Sequence, residues 1–184
     1  MQKRYSGDIP IALIGLPGSG KSSVGRALAA RLGRPFIDLD GAVSERLGAA
    51  PAEAFARLGE GAFRDAEEAA LAEALAPRGA EAAPVVATGG GAVLREANRR
   101  ALADSAFVVW LDLSPEAAAA RLAARPDGLR SRPLLAGDAP ARMRTLWEER
   151  RALYEASADA RVDAASGGPD AVAGAAEKAY AARR

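Results

Sequence analysis

The residues Gly15-Leu16-Pro17-Gly18-Ser19-Gly20-Lys21-Ser22 satisfy the spacing G-x-x-x-x-G-K-[ST] in full. Glycines at such positions let successive backbone N–H groups converge on phosphate oxygens, and a helix N-terminus behind them adds positive potential. Gly18, Ser19 and Gly20 would cradle the phosphates of a nucleoside triphosphate. Lys21 can reach the outer phosphates, and the Ser22 hydroxyl can ligate Mg²⁺. The chain has three lysines (Lys3, Lys21 and Lys178) against 22 arginines. It places one of the three where a compact ammonium fits and a guanidinium fork does not. The bland alternative is a glycine-rich turn joining a strand to a helix. The guanine-reading pattern N-K-x-D is absent, because the single asparagine, Asn98, is followed by Arg99. A small-molecule kinase is therefore the expected class.

An acceptor site needs its own groups. Asp38 and Asp40, two residues apart at the expected carboxyl end of a strand, would point to one side. They could hold a hydrated Mg²⁺ and orient or deprotonate an acceptor hydroxyl; alternatively they are turn or N-cap aspartates. Gly89, Gly90 and Gly91 follow a strand-like Val85–Ala87 run and allow close backbone approach by a ligand. Arg150 lies on the apolar stripe of Met143, Leu146, Trp147, Leu153 and Tyr154, so it faces inward and needs an anion; a snorkelling or ion-paired arginine is the alternative. Arg64 could equally be a surface residue of a charged helix. Arg125, Arg130 and Arg132 fall in a Pro/Gly-rich stretch, 125–138, expected to be a mobile lid. Arg132 is the cation expected to close over a transferring phosphate, whereas Arg130 reads as solvated.

These groups need a frame. Ile9–Ile14 is an apolar run suited to a strand buried on both faces. The spacing predicts helices over 21–32, one or two short ones over 42–58 broken near Gly48 and Pro51, and others over 60–75, 96–103, 139–156 and 170–180. Ser114-Pro115-Glu116 opens a further helix with a Ser N-cap. Strands are expected at 36–40, 84–87, 107–111 and 161–163. Alternation of five strands with helices implies an α/β fold, a parallel sheet covered on both faces, in one domain over 1–184.

Composition narrows the chemistry further. Cysteine and histidine are absent, which removes disulfides, thiolate nucleophiles, Cys/His zinc sites and His-based triads. A net charge of +1 carries no basic surplus for nucleic acid. The apolar blocks are short and alanine-rich, with 48 alanines, so no membrane span is expected. The N-terminal residues lack a signal-peptide core, and a cytosolic location is expected.

Taken in order, Gly15–Ser22, Phe36-Ile37-Asp38-Leu39-Asp40, Gly59-Glu60 with Phe63-Arg64, Gly89–Gly91, Arg132-Pro133-Leu134-Leu135 and Arg150 with Leu153-Tyr154 resemble the shikimate kinase family. The likeness runs from about residue 11 to residue 163. It implies a P-loop, nucleoside-monophosphate-kinase-like three-layer fold with a five-stranded parallel sheet and a lid, and transfer of the ATP γ-phosphate to the 3-hydroxyl of shikimate, in aromatic amino acid biosynthesis. It implies that Lys21, Ser22 and Ser23 meet the nucleotide and that Ser22 and Asp38 serve Mg²⁺. Asp40 would be the base, and Arg64, Arg150 and Gly90 would hold shikimate, with Gly89 and Gly91 beside them. Arg125 would lie on the adenine side, and Arg132 would be the lid cation. A monomer with no partner beyond its small substrates is expected by the same likeness. Ala152 stands where the family has proline, which puts the placement of Arg150 in question, and Ser166 stands where some relatives carry an arginine. The rival readings are a gluconate-kinase-like enzyme of the same fold and a nucleotide-binding regulator without catalysis.

Overall fold

The computed structural model describes residues 8–77, 79, 81–125 and 138–183. Arg130 and Arg132 lie outside the described residues, as does the 125–138 stretch apart from its two ends. Five strands form one parallel sheet: β1 (Ile11–Ile14), β2 (Phe36–Asp38), β3 (Val85–Ala87), β4 (Phe107–Asp112) and β5 (Ala160–Asp163), in the order β2-β3-β1-β4-β5. Ile11 pairs with both Val85 and Phe107, which puts β1 at the centre. Every residue of β1 and β3 is buried, as a strand covered on both faces requires. The edge strands β2 and β5 are partly exposed.

The connecting helices are α1 (Lys21–Leu32), α2 (Leu39–Leu47), α3 (Pro51–Leu75), α4 (Glu96–Ser105), α5 (Pro115–Ala123), α6 (Ala139–Ser157) and α7 (Pro169–Ala181). The chain leaves β1 through α1 towards the β2 edge. It leaves β3 through α4 and returns across β1 to β4. The crevice beyond the carboxyl ends of β1 and β3 lies at this switch in direction, where open α/β sheets take their ligands.

One expectation changes. The run 36–40 is not a strand throughout: β2 stops at Asp38, and Leu39 and Asp40 open α2. Leu39 is fully buried, and turning the chain into a helix there docks it in the core. The two aspartates are therefore not alternate residues of one strand face. Between Pro51 and Leu75 the chain forms two helical halves meeting at Gly59, whose φ of 82° and ψ of 168° break the spiral. The halves coincide with the short helix and the longer helix read from the sequence. Ser114 caps α5 as expected, accepting the Ala117 N–H.

Candidate active site

The phosphate loop is built by backbone geometry. Gly18 and Gly20 adopt φ of 84° and 96°, and Gly20 is the N-cap of α1. A Cβ on Gly18 would stand 2.6 Å from the Ala118 carbonyl oxygen, so α5 packs directly on the loop. Lys21 is buried, and its ammonium donates to the Gly15 and Leu16 carbonyls at 2.9 Å each, folding the loop around its own lysine. Gly18 to Ser23, Asp40, Thr88, Gly90, Arg121 and Arg125 are among the residues lining one cavity of about 380 Å³.

Behind this cavity stands a second cluster made of side chains. Arg64 on α3 and Arg150 on α6 are both buried. Arg64 Nη1 donates to Glu67 at 2.8 Å, and Nε to Glu60 at 3.4 Å. The guanidinium lies flat against the glycine run: a Cβ on Gly91 would be 2.5 Å from Arg64 Nη1. Arg150 Nη1 donates to the Gly90 carbonyl at 3.1 Å, and the Tyr154 hydroxyl donates to the same oxygen at 2.6 Å. Arg150 Nε is buried with no hydrogen-bond partner among the described residues. A Cβ on Gly89 would meet Glu67 Oε1 at 2.5 Å and Asp40 Oδ1 at 3.1 Å. The bare Gly89 and Gly91 thus let Glu67, Asp40 and Arg64 close on the run where Cβ atoms would stand, while Gly90 makes room for Pro17 and offers Arg150 its carbonyl.

The electrostatics follow from this crowding. Burial pushes the Glu67 carboxyl above its ordinary range, while the charge and hydrogen bond of Arg64 pull it back; Asp40 adds to the rise and Arg150 opposes it. Burial also pushes the Tyr154 hydroxyl up to about 12, so it remains a donor at physiological pH.

The structure brings Gly18, Ser19, Gly20, Lys21, Ser22, Ser23, Asp40, Gly90 and Arg125 to one cavity, with Arg64, Gly89, Gly91 and Arg150 adjoining it. Arg64 is not a surface residue; its pairing with Glu67 draws it in. Arg150 is buried despite Ala152. That alanine is exposed on an unbroken α6, so the missing proline displaces nothing. Asp38 is not among the lining residues and lies 3.8 Å from Arg26. It occupies the N-cap position of α2 without capping through its side chain. Glu67, Thr88 and Arg121 were missed, and Tyr154 was read only as a member of the apolar stripe and of the family motif. For Glu67 the signal was present, an acid three residues after Arg64 on a helix; for Arg121 it was a cation four residues before Arg125.

A phosphate loop at the head of the first helix, facing a buried cationic pocket across the switch point of a parallel sheet, defines a P-loop kinase of small molecules. A profile of the shikimate kinase family matches residues 17–180. The chain is 49% identical over 153 residues to the shikimate kinase of Symbiobacterium thermophilum, spanning 83% of this chain and 84% of that one. A solved shikimate kinase from Acinetobacter baumannii, in complex with shikimate, superposes with a TM-score of 0.86 at 32% identity, over 96% of this chain and 94% of that chain. A gluconokinase from Sinorhizobium meliloti gives 0.63 at 25% identity, over 95% and 92%. The chain belongs to the shikimate kinase family, whose reaction is the phosphorylation of shikimate by ATP.

Proposed function

We propose that the buried pair Arg64 and Arg150 selects shikimate by its carboxylate and presents the 3-hydroxyl to Asp40, opposite the ATP held by the phosphate loop. The observation that carries this reading is the convergence of two buried guanidiniums on Gly89–Gly91, one with an orphaned buried N–H. Such a donor costs free energy until an acceptor arrives, and a substrate carboxylate supplies one. The acceptor ring would be fixed by this contact and by the Gly90 backbone, in register for in-line transfer.

In this reading the backbone amides of Gly18 to Ser22 and the Lys21 ammonium hold the β- and γ-phosphates. Ser23 adds a contact, Arg125 lies against the base, and the family likeness assigns Arg132 to the leaving phosphate. Asp40 takes the proton of the attacking hydroxyl as its oxygen bonds to the γ-phosphorus and ADP departs. A cation site fits the donors present: a serine hydroxyl, carboxylates nearby, and no cluster of three acids among the described residues. That set suits Mg²⁺ arriving with its nucleotide rather than a resident cage. Ser22 and, through water, Asp38 would hold it, and the ion would neutralise charge developing on the phosphates. No described helix is long and apolar enough to cross a membrane. We read the protein as a single kinase domain acting as a cytosolic monomer.

The test is coupled ADP release with shikimate, gluconate and nucleoside monophosphates, on the wild type and on Arg150→Ala. Turnover with shikimate alone is expected. The variant should raise the KM for shikimate by about ten- to a hundredfold, the worth of a hydrogen bond to a charged group, and leave that for ATP within about twofold. Equal rises for both substrates would remove Arg150 from the acceptor site.

A further inference from the structure

The carbonyls of the glycine run are pinned one after another. The Gly89 carbonyl accepts the Ala92 N–H at 3.2 Å and the Gly91 carbonyl the Leu94 N–H at 3.0 Å, while Arg150 and Tyr154 share the Gly90 carbonyl. The carbonyls that follow, in the tight helical turn Ala92–Leu94, are held by side chains of α4. Asn98 Nδ2 donates to the Ala92 carbonyl at 2.9 Å, and Arg99 Nη1 donates to those of Val93 and Leu94 at 2.7 and 2.9 Å. Before the glycines, the N–H and the hydroxyl of Thr88 both donate to the Leu13 carbonyl and tie the chain to β1.

Peptide planarity gives these bonds a consequence. The C=O of one residue and the N–H of the next point in opposite directions from one rigid plane. A fixed Gly89 carbonyl therefore fixes the Gly90 N–H, and a fixed Gly90 carbonyl fixes the Gly91 N–H. Neither N–H has an acceptor among the described residues. Both are held in direction beside the buried guanidiniums of Arg64 and Arg150. Asn98, the single asparagine of the chain, is buried, and its Oδ1 has no hydrogen-bond partner among the described residues. A buried amide with one end unmet costs free energy, so stability of the fold is a poor account of it. What its other end supplies is a short, uncharged donor that holds the turn behind the glycines.

We propose that Asn98 and Arg99 are positioning residues for the acceptor: by clamping the Ala92–Leu94 turn to α4 they keep the Gly90 and Gly91 N–H groups aimed before substrate oxygens arrive, so less ordering is left to binding. This rests on the reading of Gly89–Gly91 as a wall of the shikimate site. The Arg150→Ala kinetics test that reading by themselves. An unmoved shikimate KM there would overturn it and the clamp together, whereas the expected rise there with no effect at α4 would overturn the clamp alone.

The discriminating variants lie on α4, away from the substrates. Asn98→Leu keeps a side chain of similar size and removes the donor. It should raise the KM for shikimate about three- to tenfold and leave that for ATP within about twofold. A merely structural role would lower the urea midpoint and the active fraction, and hence kcat, with both KM values unmoved. Arg99 is half-buried, so its variants read the same turn should the leucine variant fail to fold. Arg99→Met should raise the shikimate KM about threefold, and Arg99→Lys, which can still donate to a carbonyl, should restore most of it. An unchanged shikimate KM in Asn98→Leu or Arg99→Met, equal rises for both substrates, or a lysine variant as weak as the methionine one would each overturn the assignment.

Discussion

The two halves of the site are made by different means. The phosphate half is backbone: eight consecutive residues whose glycines at positive φ turn N–H groups inward, with Lys21 tied to the loop's own carbonyls. The half we assign to the acceptor draws on four separate segments, three supplying side chains and one bare backbone. Asp40 comes from α2, Arg64 and Glu67 from α3, Gly89–Gly91 from the end of β3, and Arg150 and Tyr154 from α6. A cradle for a common phosphate group can be local. A pocket that recognises one particular ring must draw on distant parts of the chain and hold buried charges in place with other buried charges. The first half therefore tolerates little change in backbone, and the second little change in charge balance.

The greatest expected effect lies where the halves meet. Asp40 lines the cavity at the phosphate loop and also stands beside Glu67 at Gly89. Asp40→Asn keeps the shape and removes the carboxylate we propose as the base, so turnover should fall by about 10²- to 10⁴-fold, with ATP affinity retained. Single-turnover phosphoryl transfer and a separate nucleotide titration measure the two. Near-normal transfer would mean that the hydroxyl proton leaves by another route.

The next effect is on folding rather than on rate, and it belongs to the acceptor half alone. Glu67 is the buried partner of Arg64. Removing it in Glu67→Ala leaves a guanidinium in a place of low dielectric with only exposed Glu60 at 3.4 Å. Losing one member of a buried pair costs about 3–5 kcal/mol. Urea unfolding should show a loss of that order, and shikimate affinity should fall because Arg64 is no longer aimed. A variant as stable as the wild type would show that water reaches Arg64 freely and that the acceptor half is less dry than its burial indicates.

The same contrast explains what the sequence disclosed. The phosphate loop was legible because its chemistry is contiguous, and the strand before it and helix after it were in plain view. The helical stripe of Met143, Leu146 and Tyr154 exposed the inward direction of Arg150 before any fold was known. Arg64 was ambiguous, because its burial depends on Glu67 and on the bare surface of Gly91, and neither is visible in the pattern of one helix. The aspartates were misplaced by a local rule. Alternation would put both on one strand face, but burial of Leu39 makes the chain turn into α2 after Asp38, sending Asp40 to the cavity and Asp38 towards Arg26. Arg121, and the polar role of Tyr154, escaped because each bonds a backbone carbonyl far along the chain, Ala164 in one case and Gly90 in the other. No spacing rule announces such contacts.

The smallest expected effect tests whether that second kind of contact matters. The Gly90 carbonyl accepts from both Arg150 and Tyr154, so Tyr154→Phe leaves it one donor, and the cost should be about 0.5–1.5 kcal/mol near neutral pH. The pH dependence sharpens the test. Burial raises the Tyr154 hydroxyl from 10.0 to about 12 in the folded protein, so the folded state holds that proton more tightly than the unfolded chain does. Its contribution is fully present below pH 10 and is lost as the pH rises from there through about 12. Phenylalanine has no proton to lose. Thermal melts of the two proteins should therefore differ by a constant amount up to about pH 9, with the wild-type advantage narrowing steadily above pH 10. An advantage unchanged across that window would mean that the hydroxyl ionises as easily in the fold as out of it. The Gly90 carbonyl would then owe its placement to Arg150 and the packing of α6 alone.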